Sequence, residues 1–316
     1  MVGNFQNVKL RNVIVGEKLM NSYLTYLYLL TPLHTGGSAD EGNLMGIARE
    51  VNTEFPYLPS SSLRGKIRSQ LEAPQKDQAN ILFGNKIEGG QQPTEGEVWF
   101  ADANLLLFPI ASFSHQFLWI TCPLWLSRWN RWLQNKQLEP LIQQWRSHLN
   151  NPDPNGKKAI SPLTRQEIYL QGAILKSRDI EPIAQDAACW AEFEKLPNGD
   201  GILNLRDKLI VLSDTDCGTF VEIGLQREVR IALHPKEKTA AEGSFRSEEA
   251  IPSEAVLFFP WAFKTGKDGA KTEKIRPALI ELLNDRVQFG GLEGLGRGWT
   301  DAKTVNLSSA KSQGES

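Results

Sequence analysis

The sequence is poor in the side chains that most often carry chemistry at enzyme sites. It has four histidines and three cysteines among 316 residues. The cysteines, Cys122, Cys189 and Cys217, are widely spaced and form no C-x-x-C pair, which argues against a four-ligand zinc site. We expect them to be buried, reduced thiols of a cytoplasmic protein. The scattered histidines define no Ser-His-Asp arrangement.

The chain also lacks a strong charge of either sign and a long apolar segment. Its 35 basic and 37 acidic residues give a net charge of −2, so any site for a polyanion must be a local basic patch. The apolar run YLTYLYLLTPL is too short to cross a bilayer, and the mixed N-terminus does not resemble a signal peptide. We therefore expect a cytoplasmic protein without a membrane partner.

What is present is an ordinary globular composition, 41% hydrophobic and 23% charged. Apolar residues 23–31 predict a buried strand, and strand-like and helix-like segments then alternate irregularly. No linker or short repeat divides the chain. This pattern predicts one α+β domain with insertions.

A glycine-rich loop, LHTGGSADEGNLMGIARE at 33–50, follows the first predicted strand. Glycine lets the backbone approach a phosphate closely, and an arginine, Arg49, closes the segment. Two acids, Asp40 and Glu41, lie early in the loop, whereas residues 43–46 carry no ionisable group. His34 is the histidine that adjoins this predicted anion site.

The segment FPYLPSSSLRGKIRSQLE predicts the start of a helix, with N-caps among serines 60–62. Its apolar stripe is Leu63, Ile67 and Leu71. Arg64 and Arg68 lie beside that stripe, where the helix dipole and free amides favour an anion. The competing interpretation is a capped surface helix with solvated arginines.

Three further segments organise the rest of the chain. Residues 124–149 predict one or two helices, with Trp125, Trp129, Trp132 and Leu133 on one side and an interruption at Pro140. Residues 209–213 predict a strand, followed by a helix capped at Asp214 or Thr215. Alternating apolar residues then predict a long hairpin with a basic tip, which is either a sheet edge or an arm that contacts nucleic acid.

The closing segment FGGLEGLGRGW contains five glycines and Arg297. It is only loosely similar to G-x-G-x-x-G and follows a helix, so it does not predict a dinucleotide site. It predicts either an anion-binding turn or a tight turn into a final strand. The segment GKDGAKT lacks the glycines of a phosphate-binding Walker loop.

The loop TPLHTGGS, the helix start FPYLPSSSLRGKIR and the closing FGGLEGLGRG together resemble the RAMP superfamily. The blocks LIVLSDTDCGTFVE and EEAIP are similar to the backbone subunits of type III-B, Cmr-type CRISPR effectors, and the resemblance covers about 22–300. It implies a ferredoxin-like, RNA-recognition-motif-like core within a single domain, 1–305. It further implies a helical insertion near 124–160 and a thumb hairpin near 227–253, and we expect a disordered tail at 306–316.

The resemblance implies an RNA-binding function in antiviral defence. Copies of the chain would form a filament along the CRISPR RNA, together with other subunits of the effector complex, and would position target RNA. The residues implied to hold RNA are His34, Gly36, Gly37, Arg49, Ser61, Ser62, Arg64, Lys66, Arg68, Arg230, Gly290, Gly291 and Arg297.

Two positions depart from the pattern of the superfamily. Ser60 replaces a glycine, and Leu44 stands where active relatives carry the aspartate that assists RNA cleavage with a divalent metal. Leucine can neither accept a proton nor bind a metal, so we expect weakened or absent cleavage. Alternatives are an active endoribonuclease that uses Asp40 or Glu41 with Mg²⁺ or Mn²⁺, a single-copy capping subunit of the same complex, and a stand-alone enzyme with an anion site.

Overall fold

A computed structural model describes residues 22–37, 40–41, 44–85, 92, 94–151, 156–164, 167–197, 201–231, 245–264 and 269–307. Residues 40–41, 73–75 and 269–271 are described by their backbone alone. The predicted hairpin tip, 232–244, and residues 308–316 of the predicted tail lie outside the described residues.

The architecture is α+β, as the alternation of patterns predicted. The strands are β1 (Ser22–Leu29), β2 (Asp40–Glu41), β3 (Leu44–Met45), β4 (Tyr57–Leu58), β5 (Val98–Phe100), β6 (Ala103–Ser112), β7 (Gln116–Thr121), β8 (Ala159–Ser161), β9 (Ile168–Leu170), β10 (Ala173–Leu175), β11 (Ile180–Pro182), β12 (Leu209–Leu212), β13 (Gln226–Arg230), β14 (Arg246–Ala250), β15 (Val256–Phe263), β16 (Arg286–Gln288) and β17 (Trp299–Asn306). The helices are α1 (Ser60–Phe83), α2 (Pro123–Leu133), α3 (Leu138–Leu149), α4 (Cys189–Phe193), α5 (Leu205–Lys208), α6 (Asp214–Gly224) and α7 (Gly269–Leu282).

Strand β1 lies inside a large sheet whose main path is β11-β8-β12-β7-β6-β15-β1-β17-β16. It pairs antiparallel with β15 on one side and β17 on the other, and β15 pairs antiparallel with β6. A smaller sheet has the order β13-β14-β3-β2. That smaller sheet joins the two hairpin strands to the loop that follows β1, so it brings two segments far apart in sequence to one place.

Both faces of the large sheet are covered around β1, where every residue from Tyr23 to Leu29 is buried. On one face Leu27 packs in a core that includes residues of α1 and α7. On the other face Tyr26 packs against the inserted helices, and Trp129 of α2 donates its indole N–H to the Tyr26 hydroxyl at 3.0 Å. The insertion therefore closes the face that would otherwise expose apolar strands to water.

The helix predicted to start at the serines is α1, and its predicted stripe of Leu63, Ile67 and Leu71 is buried. The prediction of serine N-caps is wrong. The N-cap is Pro59, no side chain of the helix start caps it, and Asp102 accepts a hydrogen bond from the Ser60 amide at 2.6 Å. This acceptor lies in the segment between β5 and β6, a long-range contact that sequence spacing alone cannot locate.

The predicted helical segment forms two helices, α2 and α3. The break lies at Gln134, whose backbone adopts a left-handed conformation with φ 56°, whereas Pro140 lies in the first turn of α3, where proline is tolerated. Trp125 and Trp129 are buried, and Trp132 is half-buried with its ring 6.1 Å from that of Trp99. The tryptophans thus mainly build the core, as expected.

The strand predicted at 209–213 is β12, and α6 follows it. Ser213, rather than Asp214 or Thr215, is the N-cap, because its Oγ accepts the Asp216 amide at 3.1 Å. After α6, strands β13 and β14 pair antiparallel, with Val229 opposite Ser247. These strands are the base of the predicted hairpin.

The cysteines agree with the prediction from their spacing, since Cys122, Cys189 and Cys217 are buried and free. Burial raises the pKa of Cys189 to about 12. The final strand, β17, ends at Asn306, the first residue of the predicted tail, so the prediction of disorder is wrong at that residue. None of the described helices has the length and apolarity needed to span a membrane.

Candidate nucleic-acid interface

The glycine loop folds back on itself directly after β1. Thr35 Oγ1 accepts the Ala48 amide at 2.9 Å, which holds the start of the loop against its end. A Cβ atom on Gly37 would lie 3.0 Å from the carbonyl oxygen of Gly46, so a side chain there would be tight and would require the two arms of the loop to separate slightly. Gly36 has φ 69° and faces open space. The exposed backbone at 36–37 is therefore accessible to a ligand.

His34 lies at the start of this loop. Its ring is buried, and Nδ1 donates to the carbonyl oxygen of Glu249 on β14 at 2.8 Å. Its own carbonyl accepts the Gly291 amide at 2.8 Å. His34 thus ties the glycine loop both to the hairpin and to the closing turn. Its direct contact with RNA, and that of Gly291, stay predictions.

Two glycines of the closing turn, Gly290 and Gly298, lie very close to backbone atoms. A Cβ atom on Gly290 would lie 2.4 Å from the carbonyl oxygen of His34, and one on Gly298 would lie 1.8 Å from that of Phe289. The turn leads into β17, which agrees with the alternative of a tight turn before a final strand. These two glycines are explained by backbone packing before any ligand is considered.

Arg49 and Arg227 converge on two carboxylates. Arg49 Nη2 lies 3.0 Å from both oxygens of Glu249, and its Nη1 lies 2.9 Å from Glu222. Arg227 donates to Glu249 from Nε at 3.2 Å and from Nη2 at 3.0 Å, and it also pairs with Glu222. Glu249 is only 3% exposed, and a carboxylate buried so deeply requires such partners.

The preceding residue of β14, Glu248, organises a second cluster. It is buried and accepts from Arg297 at 2.6 Å and from Arg230 at 3.0 Å. Glu228 on β13 completes this cluster by pairing with both arginines. Because successive residues of a strand point to opposite faces, Glu248 and Glu249 connect the hairpin base to the closing turn and to the glycine loop respectively.

The predicted site residues at the start of α1 have different surroundings. Ser61 is exposed, and Arg64 donates to the carbonyl oxygens of Val98 and Phe83 while it lies over the Phe83 ring. Desolvation by burial lowers the pKa of Arg64, with Arg68 as a further cause. Both Ser61 and Arg64 line a hollow of about 460 Å³ beside the helix start.

The other predicted residues of α1 lie along its side. Lys66 pairs at 2.9 Å with Glu293 of the closing turn, so α1 and that turn are adjacent. Arg68 donates to Glu72 at 2.7 Å and to Asn80 at 3.0 Å. Ser62 uses its amide within the first turn, where the Pro59 carbonyl accepts it at 2.9 Å.

A groove of about 650 Å³ runs from the glycine loop to the helix start. Of the predicted site residues it brings together Gly36, Gly37 and Arg49, and it reaches Pro59 at the N-cap of α1. Its lining also includes residues outside the predicted site, namely Glu54, Tyr57, Glu222 and Glu249. Arg227 lines it too, and the sequence already offers this arginine as part of a hairpin arm that contacts nucleic acid. Arg230 and Arg297 belong instead to the Glu248 cluster.

Leu44 lines this groove on strand β3. Its backbone lies opposite Ser247 of β14 and Glu41 of β2, and Asp40 lies opposite Met45. Leu44, the position at which the resemblance predicts the acid of active relatives, therefore faces the groove with only a hydrocarbon side chain.

The groove is not basic overall, because its lining has two arginines and three glutamates. Partial burial acts to raise the pKa of Glu222, but the hydrogen bonds from Arg227 and Arg49 outweigh it and leave that pKa below its usual range. Any phosphate that reaches Arg49 or Arg227 must therefore compete with a carboxylate that is ionised at neutral pH.

The described residues do not form a site for a divalent metal. No group of three or more His, Cys, Asp or Glu side chains in that part of the chain is placed to hold one. Leu44 contributes no oxygen to the groove, and the arginines already engage Glu222 and Glu249.

Comparison with known proteins identifies the family to which the chain belongs. The model of the RAMP superfamily matches residues 26–301, from β1 into β17. The chain belongs to the RAMP superfamily. The resemblance of the three glycine- and arginine-bearing motifs is thereby confirmed.

Two curated RAMP relatives match over nearly the whole chain. The CRISPR system Cmr endoribonuclease Cmr4 of Pyrococcus furiosus is 25% identical over 286 residues, which cover 89% of this chain and 94% of that protein. The CRISPR system CMR subunit Cmr4 of Saccharolobus solfataricus is 22% identical over 302 residues, covering 89% and 96%.

Solved RAMP structures share the fold at similar length. A chain of type III-B Cmr-beta bound to cognate target RNA has a TM-score of 0.69 and 20% identity, covering 92% of this chain and 98% of that one. Oligomeric Cmr4 from Pyrococcus furiosus has a TM-score of 0.62 and 22% identity, covering 91% and 99%. At these identities the likeness supports the RAMP fold alone.

The Glu248 cluster of this RAMP chain predicts a pH-dependent stability. The hydrogen bond from Arg297 is the main cause that lowers the pKa of Glu228. A carboxylate whose pKa is lowered by folding stabilises the protein above its unfolded pKa, about 4.3, and loses that contribution as pH falls. We expect Glu228→Gln to lower the Tm at pH 7, and the Tm difference from wild type to shrink as pH falls below about 4.3 and through the lowered pKa of Glu228. Thermal unfolding from pH 7 to pH 3 measures this; a pH-independent difference would refute it.

Proposed function

We propose that the chain is a guide-RNA-binding backbone subunit of a type III-B, Cmr-type CRISPR effector, several copies of which form a filament along the CRISPR RNA and position target RNA. The observation that carries the proposal is the groove that joins Gly36, Gly37 and Arg49 to the start of α1. The two Cmr4 relatives, which match over nearly their whole length, support it. Other effector subunits and copies of this chain are the proposed partners, in the cytoplasm.

We infer further that the core is ferredoxin-like. In chain order β1-α1-β6-β15-α7-β17, the strands lie as β6-β15-β1-β17 and all neighbours are antiparallel. This order, in which the second strand lies beside the third, the third beside the first and the first beside the fourth, supports the inference. RNA-recognition motifs stack bases on the open sheet face, but here α2 and α3 cover it, so we assign RNA to the loops.

The hairpin of β13 and β14 is the proposed thumb. Glu249 fixes its base to the glycine loop through Arg49, and Glu248 fixes it to the closing turn through Arg297. Such a base would hold an arm at a defined angle to the groove and let it interrupt a guide–target duplex at regular intervals.

For cleavage we propose a weakened or absent activity, because Leu44 lines the groove in place of an acid. The alternative is an active target-RNA endoribonuclease that uses Asp40 or Glu41 with Mg²⁺ or Mn²⁺. Strand β2, which carries both residues, lies beside β3, and this adjacency is the observation that favours keeping the alternative.

Copy number tests the filament directly. We expect native mass spectrometry of the purified complex to show several copies of this chain on each CRISPR RNA. One copy per guide RNA would support a capping subunit and contradict the backbone role.

Arg49→Ala should weaken guide binding about tenfold at ~0.1 M salt, because one phosphate contact is lost. The slope of log K against log salt concentration should also become about one unit shallower. Filter binding over a salt series measures both. Arg178→Ala, at an 80% exposed arginine outside the groove, makes the same charge change and should have little effect. Equal losses in both variants would contradict the assignment of Arg49.

A further inference from the structure

Arg49 and Arg227 each contact one inner and one outer carboxylate. The inner group, Glu249, is 3% exposed and accepts four hydrogen bonds from the two guanidinium groups. The outer group, Glu222, has a side chain that is 50% exposed and uses one oxygen for each arginine. The two glutamates therefore differ greatly in how easily they can leave.

The inner carboxylate orients the arginines independently of the outer one. Both guanidinium groups keep bonds to Glu249 if Glu222 moves away, so their donors stay directed at the groove. Breaking a buried pair is costly, whereas an exposed pair contributes little to stability. Glu249 therefore holds the two arginines in position, and Glu222 occupies the donors that they direct toward the groove.

The position of Glu222 in its helix is unfavourable for an acid, and the contacts with Arg49 and Arg227 compensate for it. It lies in the last turn of α6, where the helix dipole disfavours a negative charge, and that turn has no basic residue. Its two oxygens bridge two guanidinium groups, which is also how two non-bridging oxygens of a phosphodiester bind an arginine pair.

We propose that Glu222 occupies the position of an RNA phosphate on Arg49 and Arg227, and that RNA binding displaces it. This inference rests on the proposed function, since it takes the groove as the RNA path. The displaced carboxylate has room to leave, because Glu222 also lines a neighbouring hollow formed with Phe55, Gly218 and Ile223. Glu222 would thereby disfavour weak anions, which cannot replace both of its bonds.

The test is Glu222→Gln in the full chain, with Glu54→Gln as the matched control. Glu54 is exposed and lines the same groove, but only its backbone carbonyl contacts Arg49. Both variants remove one negative charge from the groove. With a labelled single-stranded RNA, Glu222→Gln should bind about fivefold to tenfold more tightly at ~0.1 M salt and show a steeper salt dependence. Glu54→Gln should change affinity by less than about twofold, as expected for a charge screened by salt.

Adding Arg49→Ala and Arg227→Ala together should abolish the gain from Glu222→Gln, because no arginine remains to be released. Unchanged or weaker binding by a folded Glu222→Gln protein, or an equal gain from Glu54→Gln, would overturn the displacement. If the wild-type chain and its assembled complex bound no RNA, the proposed function itself would fail. Inorganic phosphate, added as a competitor, should displace labelled RNA more effectively from the Glu222→Gln protein than from the wild type.

Discussion

Replacing Leu44 with aspartate should raise target-RNA cleavage by the assembled complex about 100-fold over wild type. Leu44 lines the groove together with Gly36, Gly37 and Arg49, so an aspartate there would place a carboxylate at a position that now carries only hydrocarbon. A carboxylate can accept the proton of a ribose 2′-hydroxyl, and positioned general bases contribute roughly 10²–10⁴-fold. Denaturing gels of labelled target RNA, with Mg²⁺ or Mn²⁺ present, measure the rate.

Leu44→Asn is the matched control, because asparagine has the shape of aspartate without its basicity. It should cleave no faster than wild type, and thermal melting should show both variants folded. Asp40→Ala and Glu41→Ala address the remaining acids of the loop. Fast wild-type cleavage that survives both replacements, or equal activity in the Asp and Asn variants, would contradict this account of the groove.

Gly290→Ala should destabilise the protein by about 3 kcal/mol or more. Gly290 has φ 82°, and an added Cβ would lie 2.4 Å from the backbone oxygen of His34 and 2.8 Å from Leu33 Cδ1. A left-handed backbone costs roughly 1–2 kcal/mol for a residue with a Cβ, and a clash with backbone forces a further shift. Because His34 also contacts Glu249, that shift would reach the groove. Urea unfolding monitored by tryptophan fluorescence measures the loss.

Gly296→Ala separates the clash from the backbone strain. Gly296 has φ 75° but nothing within 4 Å of an added Cβ, so it should lose only about 1 kcal/mol. Similar losses in the two variants would show that the closing turn does not depend on close packing against the glycine loop.

Much of the fold follows from local pattern, because apolar periodicity reports burial directly. The stripe of Leu63, Ile67 and Leu71 identifies α1 and its buried side, and the apolar run identifies β1, which is buried on both faces. Helix ends were harder to predict. The Ser60 amide at the start of α1 donates to Asp102, 42 residues further along the chain, so no rule based on neighbouring residues could identify this contact.

The candidate site was only partly predictable, for an electrostatic reason. The sequence identifies arginines near glycines, but it does not show that Arg49 and Arg297 pair with buried carboxylates. One signal was present, since two consecutive glutamates, Glu248 and Glu249, precede the apolar Ala250 and Ile251. In a buried strand such a pair requires a cation on each face.

The central claim is that RNA binds in the groove between the glycine loop and α1. Site-specific photo-crosslinking can test it. Benzoylphenylalanine in place of Tyr57, which lines the groove, should crosslink to the CRISPR RNA in the assembled complex at sites that repeat at a constant interval. The same group at Phe113, which is 91% exposed and outside the groove lining, serves as the control. Crosslinks to the guide from position 113 but none from position 57 would contradict the claim.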